Sequence, residues 1–303
     1  MGLPSDRLVE PVSTATIPPS VSWRVFCSAL GAVVAALALA ACGGGRTHSA
    51  APVIRAADIT AGAPGYRLAG SATITGARAG AVQMTMSGVY DRRDRLGRLS
   101  TVLHVAGEQV HISELVSKLT VYMGSDAIPN GTQLAGGKPW LKISMSRAMG
   151  AAGFGSLPTT TDPSQYVDYL RAVSTSTTKV GTAAVRGIPT THYHAIVDLN
   201  RYPDLVPAAQ RKAVSSSVKN LEAALGGHTM PLDVWIDGHH LVRRLGLHFA
   251  ECVSGAHFQF NMTADLYDYG PQSRPRTPPA SQVYDLTRAL QATLRHVKLR
   301  CTH

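Results

Sequence analysis

The chain has 303 residues, 45% of them apolar, and a formal net charge of +10 at pH 7. This apolar content is typical of globular proteins and excludes broad disorder. The basic residues are dispersed, without a long run of Lys or Arg. That distribution favours attraction to anionic head groups, or simple solubility, over binding of nucleic acid.

The N-terminal segment has the parts of a bacterial export signal. Arg24 precedes an uncharged apolar stretch, Val25–Ala41, which ends in small residues directly before Cys42. A basic residue, an apolar stretch and small residues at its end form a secretory signal. A cysteine directly after Leu-Ala-Ala resembles the lipobox, in which the thiol receives a diacylglyceryl group and the chain is cut before it. We therefore predict a signal peptide over 1–41 and a lipid anchor on Cys42 at the extracytoplasmic face of the cell membrane.

Two other interpretations of the N-terminus stay open. The apolar stretch of 17 residues is at the short end of the ~17–25 residues that span a bilayer, so it is alternatively an uncleaved transmembrane anchor. The leader before Arg24 is long and contains Pro18-Pro19, which is compatible with a translation start downstream of Met1.

The stretch 42–65 is rich in Gly, Ala and Pro and lacks a periodic apolar pattern. This composition is typical of a flexible spacer. We therefore predict a flexible tether over 42–65, followed by a single domain over 66–303 that is long enough to bury one core.

Two cysteines remain after export. Cys27 belongs to the signal and Cys42 to the lipid anchor, which leaves Cys252 and Cys301. Disulfides persist in the oxidising environment that an exported protein meets. We predict either a disulfide between Cys252 and Cys301, tying the C-terminal tail to the end of a strand, or two separate thiols.

Alternation of apolar and polar residues predicts a series of strands. The segments are 81–90, 99–105, 119–123, 140–143, 190–199, 232–236, 241–249 and 258–269. Such alternation indicates strands with one buried face. Asp237-Gly238 between two of these strands predicts a hairpin, because the turn needs positive φ.

Three helices interrupt the strands. The first begins at the capping box of 162–165, the second covers 207–225, and the third is an amphipathic helix over 281–298. The apolar faces of the first two are Tyr166, Tyr169, Leu170 and Val173, and Val214, Val218, Leu221 and Leu225. The elements together predict an α+β fold with a long antiparallel sheet.

Several sequence blocks in order resemble a known family. The blocks are Asp162–Tyr166 with Tyr169-Leu170, Val180-Gly181 with Val185–Tyr193, Asp198-Leu199, Pro231–Asp237 with Val242–Arg244, Tyr267–Gly270, Pro278–Ala280 and Asp285–Thr287. Behind a lipobox, this series resembles the LppX/LprG-type lipoproteins of high-GC Gram-positive bacteria, which are related in fold to LolA. The resemblance covers roughly 66–287, and the basic helix beyond Thr287 departs from it.

The resemblance implies a curved, half-open antiparallel sheet, an incomplete barrel, wrapped over helices. It also implies a hydrophobic cavity that holds acyl chains of lipids or lipoglycans, and a role in carrying them outside the cytoplasmic membrane. Apolar residues of the predicted sheet and helices either line such a cavity or fill a core. These candidates are Val82, Met84, Met86, Tyr166, Leu170, Val214, Val218 and Leu221.

Catalytic and metal-binding patterns are weak in this sequence. His192 and His194 share one face of a predicted strand, but no Cys or acidic residue lies beside them at a familiar ligand spacing. The sequence has no Gly-x-Ser-x-Gly elbow and no Gly-rich phosphate-binding loop with Lys. We predict no catalytic residue, no metal and no cofactor.

The sequence therefore predicts a non-enzymatic, membrane-anchored carrier of lipid. Its expected partners are a lipid or glycolipid, the cytoplasmic membrane, and an envelope transporter or another protein, but not nucleic acid. The alternative is an RseB-like envelope sensor or adaptor that binds a protein partner, and a third hypothesis is an unrecognised cell-wall or lipid-modifying enzyme. A small or closed cavity together with an exposed apolar patch would favour the sensor.

Overall fold

The computed structural model describes residues 47–76, 80–105, 107–118, 120–127, 131–144, 147, 164–206, 208–253 and 256–294. All of them belong to one compact unit, Gly45–His303. The predicted signal peptide, Cys42 with its predicted lipid anchor, Cys301 and the side chain of Cys252 lie outside the described residues. The signal, the lipid anchor and the disulfide therefore stay predictions.

The described strands form one sheet. They are β1 Thr47–Ser49, β2 Gly65–Gly76, β3 Gly80–Asp91, β4 Leu96–Val105, β5 Glu108–Ser117, β6 Thr120–Gly124, β7 Trp140–Ser144, β8 Val173–Val185, β9 Ile188–Asp198, β10 Thr229–Asp237, β11 Val242–Val253, β12 Ala256–Tyr267 and β13 Val283–Asp285. Their order is β1-β8-β9-β10-β11-β12-β2-β3-β4-β5-β6-β7-β13. Every neighbouring pair is antiparallel except β13 with β7. In the described part of the chain, this large sheet is not closed into a barrel.

The helices are short compared with the sheet. They are α1 Ala51–Gly62, α2 Gly131–Leu134, α3 Ser164–Tyr169, α4 Ala208–Leu225 and α5 Thr287–Leu294, with 3-10 turns at Ser125–Ala127, Leu170–Ala172, Leu199–Leu205 and Ala280–Gln282. The hydrophobic core lies between α1, α3 and α4 and one face of the sheet, which we call the inner face. The inner face carries Leu232, Val234 and Ile236 of β10, and the opposite, outer face is mainly polar.

The predicted antiparallel sheet and the second helix are confirmed, whereas β2, β5 and β8 were not predicted. Gly, Ala, Ser and Thr are frequent in β2 and β8, and charged or polar residues are frequent in β5, so their apolar alternation is faint. Val173, expected on the first helix, is instead the first residue of β8. Small side chains therefore hid β2 and β8 and polar side chains hid β5, although backbone pairing on both sides holds each of these strands in place.

The prediction of a flexible tether over 42–65 is corrected for the ordered residues from Thr47 to Gly62. Val53, Ala56 and Ala57 of α1 are fully buried in the core. The hydroxyl oxygen of Thr60 accepts a hydrogen bond from the Val242 amide at 2.9 Å. The buried positions have helical spacing, i, i+3, i+4 and i+7, but three of them are Ala or Thr, so the pattern resembled a spacer.

The third predicted helix is also corrected. Of the residues expected to form one helix over 281–298, Val283–Asp285 instead form β13 beside Trp140–Lys142, and α5 begins at Thr287. The carboxylate of Asp285 accepts the amide of Thr287 at 3.0 Å and caps the helix. Burial alone would raise the pKa of Asp285, but hydrogen bonds from Thr287 and Lys142 lower it to about 2. Residues 295–298 of the predicted helix lie outside the described residues.

The predicted hairpin between β10 and β11 is confirmed, but the positive φ of 60° lies at His240 and not at Gly238. Asp237 organises the turn, because one carboxylate oxygen accepts the amides of His239 and Leu241, each at 2.9 Å. Its other oxygen accepts Nε of Arg243 at 2.6 Å. Burial alone would raise the pKa of Asp237, but these hydrogen bonds and the Arg243 charge lower it.

We expect Asp237→Asn to lower the free energy of unfolding by about 3 kcal/mol, because it leaves the charge of Arg243 without its buried partner. The side chain of Asp237 is only 1% exposed. Urea unfolding measures the change, with Asp268→Asn as the control. Asp268 is exposed and lies 3.9 Å from Arg67, so its loss should change stability by no more than about 0.5 kcal/mol. Equal effects of the two substitutions would contradict this role of Asp237.

Candidate ligand-binding site

An open pocket of about 810 Å³ lies on the inner face. We call it the inner pocket. Its volume is within the usual range for small-molecule sites, about 300–1,000 Å³. It is lined by Pro52, Thr182, Ala183, Ala184, Pro189, Thr190, Thr191, Tyr193, Ile236, Asp237, Gly238 and His240.

Two hairpins and one helix end position the lining of the inner pocket. The β8–β9 hairpin turns at Arg186 and Gly187, whose φ values of 50° and 79° match the mirror-image turns that join paired strands. On the two sides of the turn, the pairing of Ala184 with Pro189 brings both residues to the wall. Pro52 closes one side from the first turn of α1, where a residue without an amide hydrogen is tolerated.

The base of the inner pocket continues into the core. Tyr193 pairs with Val234 and Ile236 pairs with Thr191, so all four side chains share the inner face. Ile236 is buried, and Tyr193 packs against the core while lining the pocket. An apolar ligand in the pocket would therefore contact an existing apolar surface.

The carboxylate in the described lining of the inner pocket already has hydrogen-bond partners within the protein. Asp237 is the carboxylate among the lining residues, and the amides of the turn together with Arg243 already bind its oxygens. The Thr190 hydroxyl donates to the Ala183 carbonyl oxygen at 2.6 Å. The walls thus combine apolar side chains with a few hydroxyl groups, which is the composition of a site for a mainly apolar ligand.

A buried carboxyl lies on a different part of the inner face. Glu114 follows Val110 and Ile112 in the inner-face row of β5, and it is 9% exposed. Its cross-strand partners are the apolar Leu99 and Met123. Burial in these surroundings raises the pKa of Glu114, and a hydrogen bond with Thr101 offsets only part of the rise. The sequence signal that we missed is an acidic residue at an apolar position of the alternation.

The candidate cavity residues do not line the inner pocket. Five of them, Met86, Tyr166, Leu170, Val218 and Leu221, are buried together in the core. Met84 and Val214 are half-buried against that core, and Val82 is half-buried nearer the start of β3. The filled-core alternative therefore describes the five buried residues. The pocket itself was missed because its walls are largely Thr, Ala and Pro.

The histidines of the outer face form a hydrogen-bonded group. Nε2 of His192 and Nδ1 of His194 lie 2.8 Å and 3.4 Å from the same oxygen of Asp233. His192 also stacks on Trp235 with ring centroids 4.0 Å apart. Two histidines and one carboxylate meet here, but the described residues contain no group of three or more His, Cys, Asp or Glu side chains whose arrangement could hold a metal ion.

Of the helices described, none is both long and apolar enough to span a membrane.

No family model matches the chain. An uncharacterised 31.2 kDa protein from the rplA-rplJ intergenic region of Streptomyces griseus is 30% identical over 164 residues, which are 52% of this chain and 51% of that protein. The chain thus spans about half the length of this curated relative.

Two solved lipoproteins are similar to this chain. LppX of Mycobacterium tuberculosis is 14% identical, with 75% of this chain and 97% of LppX covered at a TM-score of 0.42. LprF from Mycobacterium bovis is 14% identical, with 75% and 95% covered at a TM-score of 0.39. The sequence blocks pointed to this same group of lipoproteins.

We expect Glu114 to make the protein less stable as the pH rises. Its pKa is raised above 4.5 in the folded state, so between the two pKa values the folded protein binds more protons than the unfolded chain. The contribution of Glu114 to the free energy of unfolding is therefore fully present below pH 4.5 and is lost as the pH passes the folded-state pKa.

Glu114→Gln should remove this component of the pH dependence. Urea unfolding at pH 4.5 and at neutral pH measures it, and the variant should gain stability relative to the unsubstituted protein at the higher pH. Glu108→Gln, at an exposed position of the same strand, should leave the pH dependence unchanged. Identical pH profiles for Glu114→Gln and the unsubstituted protein would show that Glu114 ionises normally.

Proposed function

We propose that this protein is a membrane-anchored lipoprotein that binds an acyl chain of a lipid or lipoglycan in the inner pocket and presents it outside the cytoplasmic membrane. The observation that supports this most is the pocket of about 810 Å³ with mainly apolar walls that continue into the core. Burial of apolar surface there would stabilise the complex by ~25 cal/mol per Å². No covalent chemistry is needed for this function.

The surroundings of the inner pocket suit a ligand with an apolar tail and a polar head. Tyr193 and Ile236 offer apolar surface at the base, and Thr182 and Thr191 add hydroxyl groups at the wall. Val180 lies on β8 close to these residues and is 57% exposed. With Lys179 beside it, this apolar side chain would favour contact with the lipid surface from which the ligand comes.

The proposed anchor would keep the pocket close to its source of lipid. A diacylglyceryl group on Cys42 supplies at least two acyl chains, and each buried CH₂ contributes ~0.8 kcal/mol. Only four residues separate Cys42 from the first described strand, β1. The folded domain would therefore stay near the membrane.

A second candidate function is that of an envelope sensor or adaptor that binds a protein partner. Among the described strands, β1 covers only Ser176–Thr178 of β8. The following residues of β8 include the exposed Val180. A strand edge with an exposed apolar residue is a surface to which an extended peptide can add by backbone pairing.

Native mass spectrometry of the soluble form that starts after Cys42 tests the carrier function. Nearly all of this form is the compact unit Gly45–His303. We expect a stoichiometric acylated ligand on the protein purified from a related bacterial host. Ala184→Trp should weaken ligand binding, because the indole would occupy part of the inner pocket, whereas Thr85→Trp on the exposed outer face of β3 should leave it unchanged.

Two results would decide between the carrier and the adaptor, and a third would test whether the ligand lies in the inner pocket. An empty protein that also refuses added phospholipid and glycolipid would exclude the carrier function. Equal lipid loading of Ala184→Trp and Thr85→Trp would place the ligand outside the inner pocket. A peptide that protects the β8 amides from hydrogen exchange, in a protein that binds no lipid, would establish the adaptor.

A further inference from the structure

The outer face has a depression of about 270 Å³ around Gly246. We call it the outer socket, and it lies on the side of the sheet opposite the inner pocket. Its polar lining consists of Ser71, Thr73, Asp233, His248, Asn261 and Thr263. Its existence does not depend on the function proposed for the inner pocket.

The socket follows from strand register. Gly246 pairs with Asp233 on β10 and with Thr263 on β12, and Thr263 pairs with Ser71 on β2. Residues that pair directly share one face of the sheet. A glycine in this row of side chains leaves a gap that its neighbours surround. The next outer-face row, two residues further along the strands, consists of His248, Asn261 and Thr73 and borders the other side of the socket.

The acidic wall of the socket is held in a defined position. One oxygen of Asp233 lies 2.8 Å from His192 Nε2 and 3.4 Å from His194 Nδ1. His192 is fixed in turn by its stacking on Trp235. A carboxylate held in this way is preorganised to accept hydrogen bonds, because little side-chain entropy remains to be lost on binding.

The indole of Trp235 lies beside the socket, next to Gly246. A Cβ atom built on Gly246 would lie 3.4 Å from Cζ3 of Trp235 and 3.3 Å from Cβ of Asp233. Glycine at position 246 therefore allows the indole edge and Asp233 to approach the backbone closely at the border of the socket. Aromatic surface beside hydrogen-bonding groups suits a ligand that has both C–H faces and hydroxyl groups.

The lining argues against an anionic ligand. Among the described residues that line the socket there is no Lys or Arg, and Asp233 contributes a carboxylate. The nearby Arg244 is bound to Asp265, with Nε and Nη2 at 2.6 Å and 3.0 Å from the two carboxylate oxygens. A phosphate or carboxylate group would meet a negative charge in the socket without a cation to balance it.

We propose that the outer socket binds one sugar unit of a neutral glycan. Hydroxyl, amide, imidazole and carboxylate groups converge there and supply both donors and acceptors, which a ring with several hydroxyl groups requires. The depression has room for a single sugar ring. Because it lies on the outer face, a bound glycan would leave the inner pocket accessible.

Saturation-transfer NMR on the soluble form tests this site with N-acetylglucosamine, mannose, galactose and arabinose as probes. We expect saturable binding of at least one of them. Ser71→Tyr should abolish the binding, because the larger ring would occupy the socket from an exposed position of β2. Thr85→Tyr is the matched control, since Thr85 pairs with Ser71 and is also exposed, but does not line the socket.

A second variant with a small substitution tests the socket without a large side chain that could disturb folding. Asn261→Ala removes one amide from the lining at an exposed position, so it should weaken sugar binding about tenfold, corresponding to the loss of one hydrogen bond of ~1.4 kcal/mol. Absence of saturable binding by all four sugars would overturn the proposal, as would equal binding by Ser71→Tyr and Thr85→Tyr. Lipid loading of the inner pocket should be the same in all these variants, so failure of the socket is distinguishable from failure of the carrier function.

Discussion

The packing of α1 against the inner face is the contact on which the rest of the structure depends. Val53, Ala56 and Ala57 are fully buried there, and their small size lets the helix backbone approach the strands closely. Thr60 then bonds the amide of Val242 at the first residue of β11. A larger residue at Ala56 or Ala57 would force the helix away from the sheet and open the core.

The same contact shapes the candidate ligand site. Pro52 at the start of α1 forms one wall of the inner pocket, and the turn organised by Asp237 forms another. The pocket is therefore bounded by the helix at one side and by two hairpins at the other. Since Arg243 and the turn amides bind Asp237, the one carboxylate among the described lining residues is directed toward the turn. This arrangement leaves apolar and hydroxyl groups for a ligand.

The two faces of the sheet differ in chemistry because side chains alternate along every strand. Two residues depart from that alternation, and each gives its part of the sheet a property that its neighbours lack. Glu114 places a carboxyl in an apolar row, where burial raises its pKa. Gly246 leaves a gap in a row of polar side chains, which forms the outer socket. Each follows from one residue whose type differs from that of its neighbours on the same face.

Sequence alone determined the antiparallel sheet, the β10–β11 hairpin and α4, because long apolar periodicities and turn residues are local signals. It did not determine α1, whose buried Ala residues resemble those of a spacer, or β13, whose three residues extend only because Trp140–Lys142 lie beside them. The inner pocket and the outer socket were decided by tertiary structure. Part of their walls comes from strands far apart in the chain, such as β2 and β12, where register brings Ser71 beside Thr263. A turn fixes the register inside a hairpin, but no local pattern shows which distant strands pair, so only the folded chain shows which side chains share a site.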